Sequence, residues 1–171
     1  MTVIVAGLDI ATQTGIAVGP LGGSPKLFSV DLGLEKPHDE RFGAMFGLAH
    51  TLIRDHGVTH MGLEAPIKHK HDKTATNVLL MGLTAILRGW AYRKGVPVEV
   101  FGVATIDKHF LGHRMIGRDE RKRAIWGRCT QLGWTPTTQD DADAGAVWDI
   151  TCAHLSPAYA ASNGSLFAGA R

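Results

Sequence analysis

The chain has 171 residues, 44% of them hydrophobic and 20% charged, a balance typical of one folded, soluble domain. Its Lys and Arg residues outnumber its Asp and Glu residues by 18 to 16, so binding of nucleic acid would depend on local basic clusters and not on total charge. The sequence has no apolar run of the about 20 residues needed to cross a bilayer, and it does not start with a secretory signal. The two cysteines, Cys129 and Cys152, are too few for a disulfide framework, and we expect reduced thiols in the core. A cytoplasmic protein is expected.

The first part of the chain predicts three strands. A β-branched run at residues 3–5 leads into Asp9, and polar residues 12–14 separate it from a second run at 15–18. After a turn rich in Gly and Pro, residues 26–32 complete an antiparallel meander. Because the first run is continuously apolar, we expect a central strand, at whose end an ionised carboxylate is costly unless it has a partner. Taken alone, Asp9 is explained equally well as a turn cap.

The middle of the chain alternates helices and strands. Apolar residues at helical spacing predict a helix over residues 38–56, closed by Gly57. A strand over 59–63 then ends at Glu64 and is followed by a basic loop over 67–73.

The second half predicts a helix over 76–94, a strand over 96–103, a basic loop, and helices over 119–132 and 140–155. This element order predicts an α/β fold with a mixed sheet and helices on both faces, in a domain spanning residues 1–155. Residues 156–171, rich in Ala, Ser and Gly, predict a flexible C-terminal tail.

The predicted helix over 76–94 is apolar beyond a single stripe. Such a helix is either deeply buried or packed against a partner. We expect a homodimer interface that includes Leu80, Met81, Leu83 and Leu87.

Acidic residues stand at the ends of two strands and at the start of the last helix. Thr138 and Asp141 have capping-box spacing, whereas Asp140 and Asp143 lie three residues apart and share a helical face. Acids in a first turn are often explained by the helix dipole alone. The helix dipole explains Asp143 less well, because the helical face that carries Asp143 continues into the apolar residues Val147 and Ile150.

Together, Asp9, Glu64, Asp140 and Asp143 suggest a site for cations. Carboxylates crowded into one site repel each other and hold protons unless cations neutralise them. Oxygen ligands suit Mg²⁺ or Mn²⁺, and two such ions can clamp a scissile phosphate. Basic residues of the neighbouring loops would then hold a nucleic-acid backbone. The candidates for this contact are Lys68, Lys70, Lys108, Arg118, Arg121 and Lys122.

These motifs resemble the RuvC family, the Holliday-junction resolvases of the ribonuclease H-like superfamily. The resemblance runs over residues 3 to about 154, on Gly7-Leu8-Asp9, Gly62-Leu63-Glu64, the basic segment from Lys108 to Lys122, and the stretch from Asp140 to Ala146. It implies a ribonuclease H-like fold with a five-stranded sheet and a homodimer acting on four-way junction DNA.

The resemblance also assigns roles. It implies that Asp9, Glu64, Asp140 and Asp143 bind two Mg²⁺ ions, with Mn²⁺ as an alternative. It implies that Lys108 and Lys122 contact the DNA near the scissile phosphate, with Lys122 counted among the catalytic residues. A helicase partner is not indicated by the sequence, and Asp141 stays open as the third ligand in place of Asp140.

The sequence departs from the family after two of these acids. Ile10 and Ala11 follow Asp9, where the family has Pro-Gly, and Ala65 follows Glu64, where the family has Gln. These differences indicate a divergent relative, for which a phage-type resolvase is one reading, and leave the substrate open. The alternatives are a related nuclease acting on RNA, a phosphotransfer fragment of the actin or sugar-kinase type, and an inactive DNA-binding module.

Overall fold

A mixed five-stranded sheet forms the centre of the computed structural model, which describes residues 2–66, 74–114 and 117–164. Its strands are β1 (Ile4–Asp9), β2 (Gln13–Pro20), β3 (Lys26–Asp31), β4 (His60–Glu64) and β5 (Val98–Phe101). The order is β3-β2-β1-β4-β5; the first three strands are antiparallel, and β4 and β5 continue the sheet parallel to β1. The predicted meander followed by parallel strands is confirmed.

Helices cover both faces of this sheet, as predicted. One face packs against α1 (His38–Arg54) and α2 (Thr74–Arg93). The other face packs against α3 (Val103–Leu111), α4 (Arg118–Gln131), α5 (Gln139–Leu155) and α6 (Pro157–Gly164). Among the described residues, no helix has both the length and the apolar character needed to cross a membrane.

The alternation of side chains along β1 and β2 divides the core into two layers. Ala6 and Leu8 face the α1–α2 layer, whereas Val5 faces the α5 layer together with Ala17 of β2. All four side chains are fully buried, so β1 is the central strand that its apolar sequence predicts.

Two of the helices, α3 and α6, were not predicted from the sequence. Val103–Leu111, predicted to be strand and basic loop, forms α3, whose inward face is buried at Ile106 and Phe110. Pro157–Gly164 forms α6, so the predicted flexible tail is wrong for this segment, while residues 165–171 lie outside the described part. Tyr159 of α6 anchors it, because its ring packs edge-on against Trp148 and its hydroxyl donates to Asp149.

The structure also corrects the interface predicted on α2. Leu83 and Leu87 are fully buried in the layer between α1, α2 and the sheet, so they belong to the core of a single chain. Met81 is 52% exposed and Leu80 is partly exposed, and these two side chains remain accessible to a partner.

Glycines in three strands allow α5 to lie directly on the sheet. A Cβ at Gly7 of β1 would clash with backbone atoms of Ala144 and Trp148, and one at Gly15 of β2 with the carbonyl of Asp140. A Cβ at Gly62 of β4 would clash with the side chain of Thr151. The close approach buries every residue of α5 from Asp141 to Cys152.

We predict that Gly7→Ala destabilises the protein by about 1–3 kcal/mol or more, because the added methyl group meets backbone that cannot turn away. The free energy of unfolding in urea measures this change. Gly89→Ala is the matched control, since Gly89 lies within α2 with open space around it and alanine favours a helix. Equal unfolding midpoints for Gly7→Ala and the wild type would contradict the packing described for α5.

Candidate active site

The carboxyl ends of β1 and β4 place two acidic side chains next to each other. The strands are parallel neighbours with Leu8 paired to Leu63, so Asp9 and Glu64 follow at the same edge of the sheet. The start of α5 lies over this edge, because Gly15 admits the backbone of Asp140. Asp143 follows one turn later and is 6% exposed. The fold thus brings together the four acids singled out in the sequence.

The pKa of Asp9 responds to the charges of the other three acids. Burial raises the pKa of Asp9 well above its ordinary value, and the charges of Glu64, Asp143 and Asp140 raise it further. Burial is also the main cause of the raised pKa of Asp140. Burial and the neighbouring carboxylates therefore both oppose the ionisation of Asp9.

Arg121 of α4 reaches into the middle of this cluster. Its Nε donates to Oδ1 of Asp107 at 2.7 Å, one Nη to Oδ1 of Asp143 at 3.0 Å, and the other Nη to Oε2 of Glu64 at 3.1 Å. The Arg121 side chain is only 15% exposed. The prediction that Arg121 contacts DNA is therefore wrong for this conformation, in which all three of its donor nitrogens bind carboxylates.

The ion pairs of Arg121 shift the pKa values of Arg121 and of its carboxylate partners. Burial lowers the pKa of Arg121, but the carboxylates around it outweigh this effect and raise it overall. The pKa values of Glu64 and Asp143 are raised by burial, an effect that Arg121 partly offsets. Asp107, which the sequence did not single out, is buried in α3 and completes the cluster. Its only signal in the sequence is an acid within a basic segment.

The donors suit a divalent cation, although Arg121 now engages several of them. Carboxylate oxygens are the ligands that Mg²⁺ and Mn²⁺ prefer. The charges of the neighbouring acids contribute, after burial, to the raised pKa of Asp9, and a bound cation would oppose that contribution. In this conformation, no three acidic, His or Cys side chains of the described residues are placed to share one ion. The residue types fit the metal, while the guanidinium takes up oxygens of Glu64 and Asp143.

Asp141 has a different role from its neighbours. Its Oδ2 accepts from the N–H of Thr138 and its own N–H donates to Oγ1 of Thr138, which forms the predicted capping box. The same Oδ2 also accepts from the backbone N–H and the hydroxyl of Thr137. Burial opposes ionisation, but these hydrogen bonds outweigh it and lower the pKa of Asp141. Because this carboxylate is committed to the helix start, Asp140 is the better candidate for the third ligand.

The predicted basic residues fall into three groups. Lys122 lies beside the acids, since its charge lowers the pKa of Asp140 and Asp143. Lys108 and Arg118 are exposed on α3 and α4, the helices that carry Asp107 and Arg121. Lys68 and Lys70 lie outside the described residues.

Comparison with known structures identifies the fold. Thermus thermophilus RuvC superposes with a TM-score of 0.68 and 22% identity, over 94% of this chain and 96% of that one. T. thermophilus RuvC in complex with Holliday junction substrate gives 0.70 and 21%, over 92% and 95%. The yeast mitochondrial Holliday junction resolvase Ydc2 gives 0.60 and 8%, over 91% and 84%. No protein-family model and no curated protein sequence matches the chain.

These likenesses show that the chain has the ribonuclease H-like fold of RuvC, as its motifs predicted. The shared architecture covers nearly the whole of both chains, so it includes the strands and the helix that carry the acid cluster.

We predict that, in the presence of a chelator, Asp9→Asn is more stable than the wild type at pH 7. The raised pKa of Asp9 means that the folded state binds its proton more tightly than the unfolded state. The stabilisation from this proton is complete below the unfolded pKa and is lost as the pH rises through the folded one. Asn avoids that loss.

Urea unfolding between about pH 4 and pH 7 measures the effect, and the advantage of Asp9→Asn should shrink as the pH falls. Glu35→Gln, on an exposed turn, is the control and should show no comparable gain. A wild type that is more stable than Asp9→Asn at pH 7 would contradict the raised pKa of Asp9 in the folded state.

Proposed function

We propose that the protein is a metal-dependent, structure-selective endonuclease of the RuvC type that hydrolyses phosphodiester bonds in branched DNA. The observation that carries this proposal is the convergence of Asp9, Glu64, Asp140 and Asp143 at one edge of a ribonuclease H-like sheet. Two neighbours in fold support the substrate class, since one is bound to a Holliday junction and another is named as a junction resolvase. We propose that it acts in the cytoplasm.

In this proposal, Asp9, Glu64, Asp140 and Asp143 hold two Mg²⁺ ions, with Mn²⁺ as a substitute. Bound there, the ions would activate the attacking water and stabilise the leaving oxygen, giving 5′-phosphate and 3′-hydroxyl ends. Lys122, close to Asp140, is suited to contact the phosphate at the site. The exposed Lys108 and Arg118, together with Lys68 and Lys70, would hold the backbone of the flanking strand.

A cleavage panel tests the reaction and its substrate. With Mg²⁺, we expect symmetric nicks in a four-way junction and little cleavage of a flap, a fork, duplex DNA, single-stranded RNA or an RNA–DNA hybrid. Asp9→Asn should abolish cleavage while junction binding stays measurable, since it removes a metal-binding oxygen and leaves the exposed basic residues in place.

Asp39→Asn, on the exposed start of α1 across the sheet, is the control and should cleave like the wild type. Cleavage by Asp9→Asn at the wild-type rate would contradict the metal site. Preferential cutting of RNA or of the hybrid would instead favour the RNA-acting alternative over a junction resolvase.

We further propose that two copies associate through α2, which would place two sites on the two strands of one junction. Val78 and Met81 of this helix are 53% and 52% exposed, and Leu80 is partly exposed beside them. Large apolar side chains grouped in this way are typical of an interface.

Sedimentation at micromolar concentration should give the mass of two chains for the wild type and of one chain for Met81→Asp. Leu34→Asp, which replaces a 65% exposed side chain that is not part of α2, should stay dimeric. A wild type that sediments as one chain would contradict the proposed dimer.

A further inference from the structure

Three ion pairs hold the guanidinium of Arg121, and they are of two kinds. Its Nε donates to Asp107, which is 1% exposed and is not one of the proposed metal ligands. Its two terminal nitrogens bind Asp143 and Glu64, which are proposed ligands. Arg121 is thus anchored on one side and occupies metal-binding oxygens on the other.

These oxygens have two competing uses. A guanidinium with little exposure needs carboxylate partners, and here it has three of them. A divalent cation needs the same oxygens of Glu64 and Asp143, and it is repelled by a positive charge in direct contact with them. The absence of a three-ligand group among the described residues agrees with this competition.

We propose that Arg121 is a built-in competitor for the divalent cations, occupying the acid pocket until metal binding displaces its terminal nitrogens from Glu64 and Asp143. Asp107 keeps the displaced side chain beside the pocket. This inference rests on the metal dependence in the proposed function. The net free energy of metal binding is then the free energy gained when the carboxylates bind the cation, minus the free energy lost when Arg121 gives up two ion pairs.

Calorimetric titration of the DNA-free protein with MnCl₂ tests the competition. Removing the charge in Arg121→Gln should tighten Mn²⁺ binding by about tenfold or more, because the metal no longer has to displace a cation. Arg118→Gln is the matched control: it removes an exposed charge three residues earlier on α4 and should change the affinity far less.

Without metal, Arg121→Gln should unfold at a lower temperature than the wild type, because its carboxylates lose their counter-charge, and added Mn²⁺ should raise that temperature more than in the wild type. If Arg121→Gln does not fold, a measurement on the wild type tests the inference instead. There, the NMR signals of the Arg121 Nη–H groups should shift on addition of Mg²⁺, because these groups leave Asp143 and Glu64, and unchanged signals at saturation would overturn the inference.

The outcomes separate this inference from the proposed function. Mn²⁺ binding that is unchanged or weakened in Arg121→Gln overturns the competition, while the nuclease proposal stands. Tighter binding without cleavage of any DNA in the panel supports the competition and removes the nuclease proposal. If neither the wild type nor the variant binds Mn²⁺, both are wrong.

Discussion

The close contact of α5 with the sheet is the constraint on which the rest of the structure depends. Gly7 and Gly15 leave no room for a Cβ between the strands and the helix backbone, so α5 lies nearer to the sheet than side chains would allow. On the helix side, the backbone of Ala144 and Trp148 meets Gly7 directly. This proximity carries the start of α5 to the ends of β1 and β4, where Asp9 and Glu64 stand. The acid cluster is therefore a consequence of helix–sheet packing.

The cluster is costly for a folded protein, since burial and mutual repulsion both oppose ionisation of Asp9. Arg121 reduces this cost by pairing with three carboxylates at once. The charge of Lys122, on the same helix, lowers the pKa values of Asp140 and Asp143. The raised pKa of Asp9 that remains is a feature expected of a cation site, and sites adapted to function are often less stable than the fold permits. The same guanidinium that stabilises the site without metal would have to yield when metal binds.

Much of this architecture follows from local sequence. Alternating and continuous apolar runs predicted the five strands, and the capping box at Thr138 and Asp141 set the start of α5. The site at the strand ends was predictable because parallel neighbours end at one edge. The inward turn of Arg121 was not predictable from the sequence, because a basic residue within a basic helix is normally exposed. Only the packing of α4 against α3 brings Arg121 onto Asp107. Leu83 likewise could not be assigned to core or interface before the position of α1 was known.

A crystal soaked in MnCl₂ and measured at the manganese edge tests the central claim most directly. The account predicts anomalous density between the carboxylates of Asp9, Glu64 and Asp143, with the terminal nitrogens of Arg121 moved off Glu64 and Asp143. Arg121 still bound to both acids at full occupancy, with manganese elsewhere or absent, would contradict it.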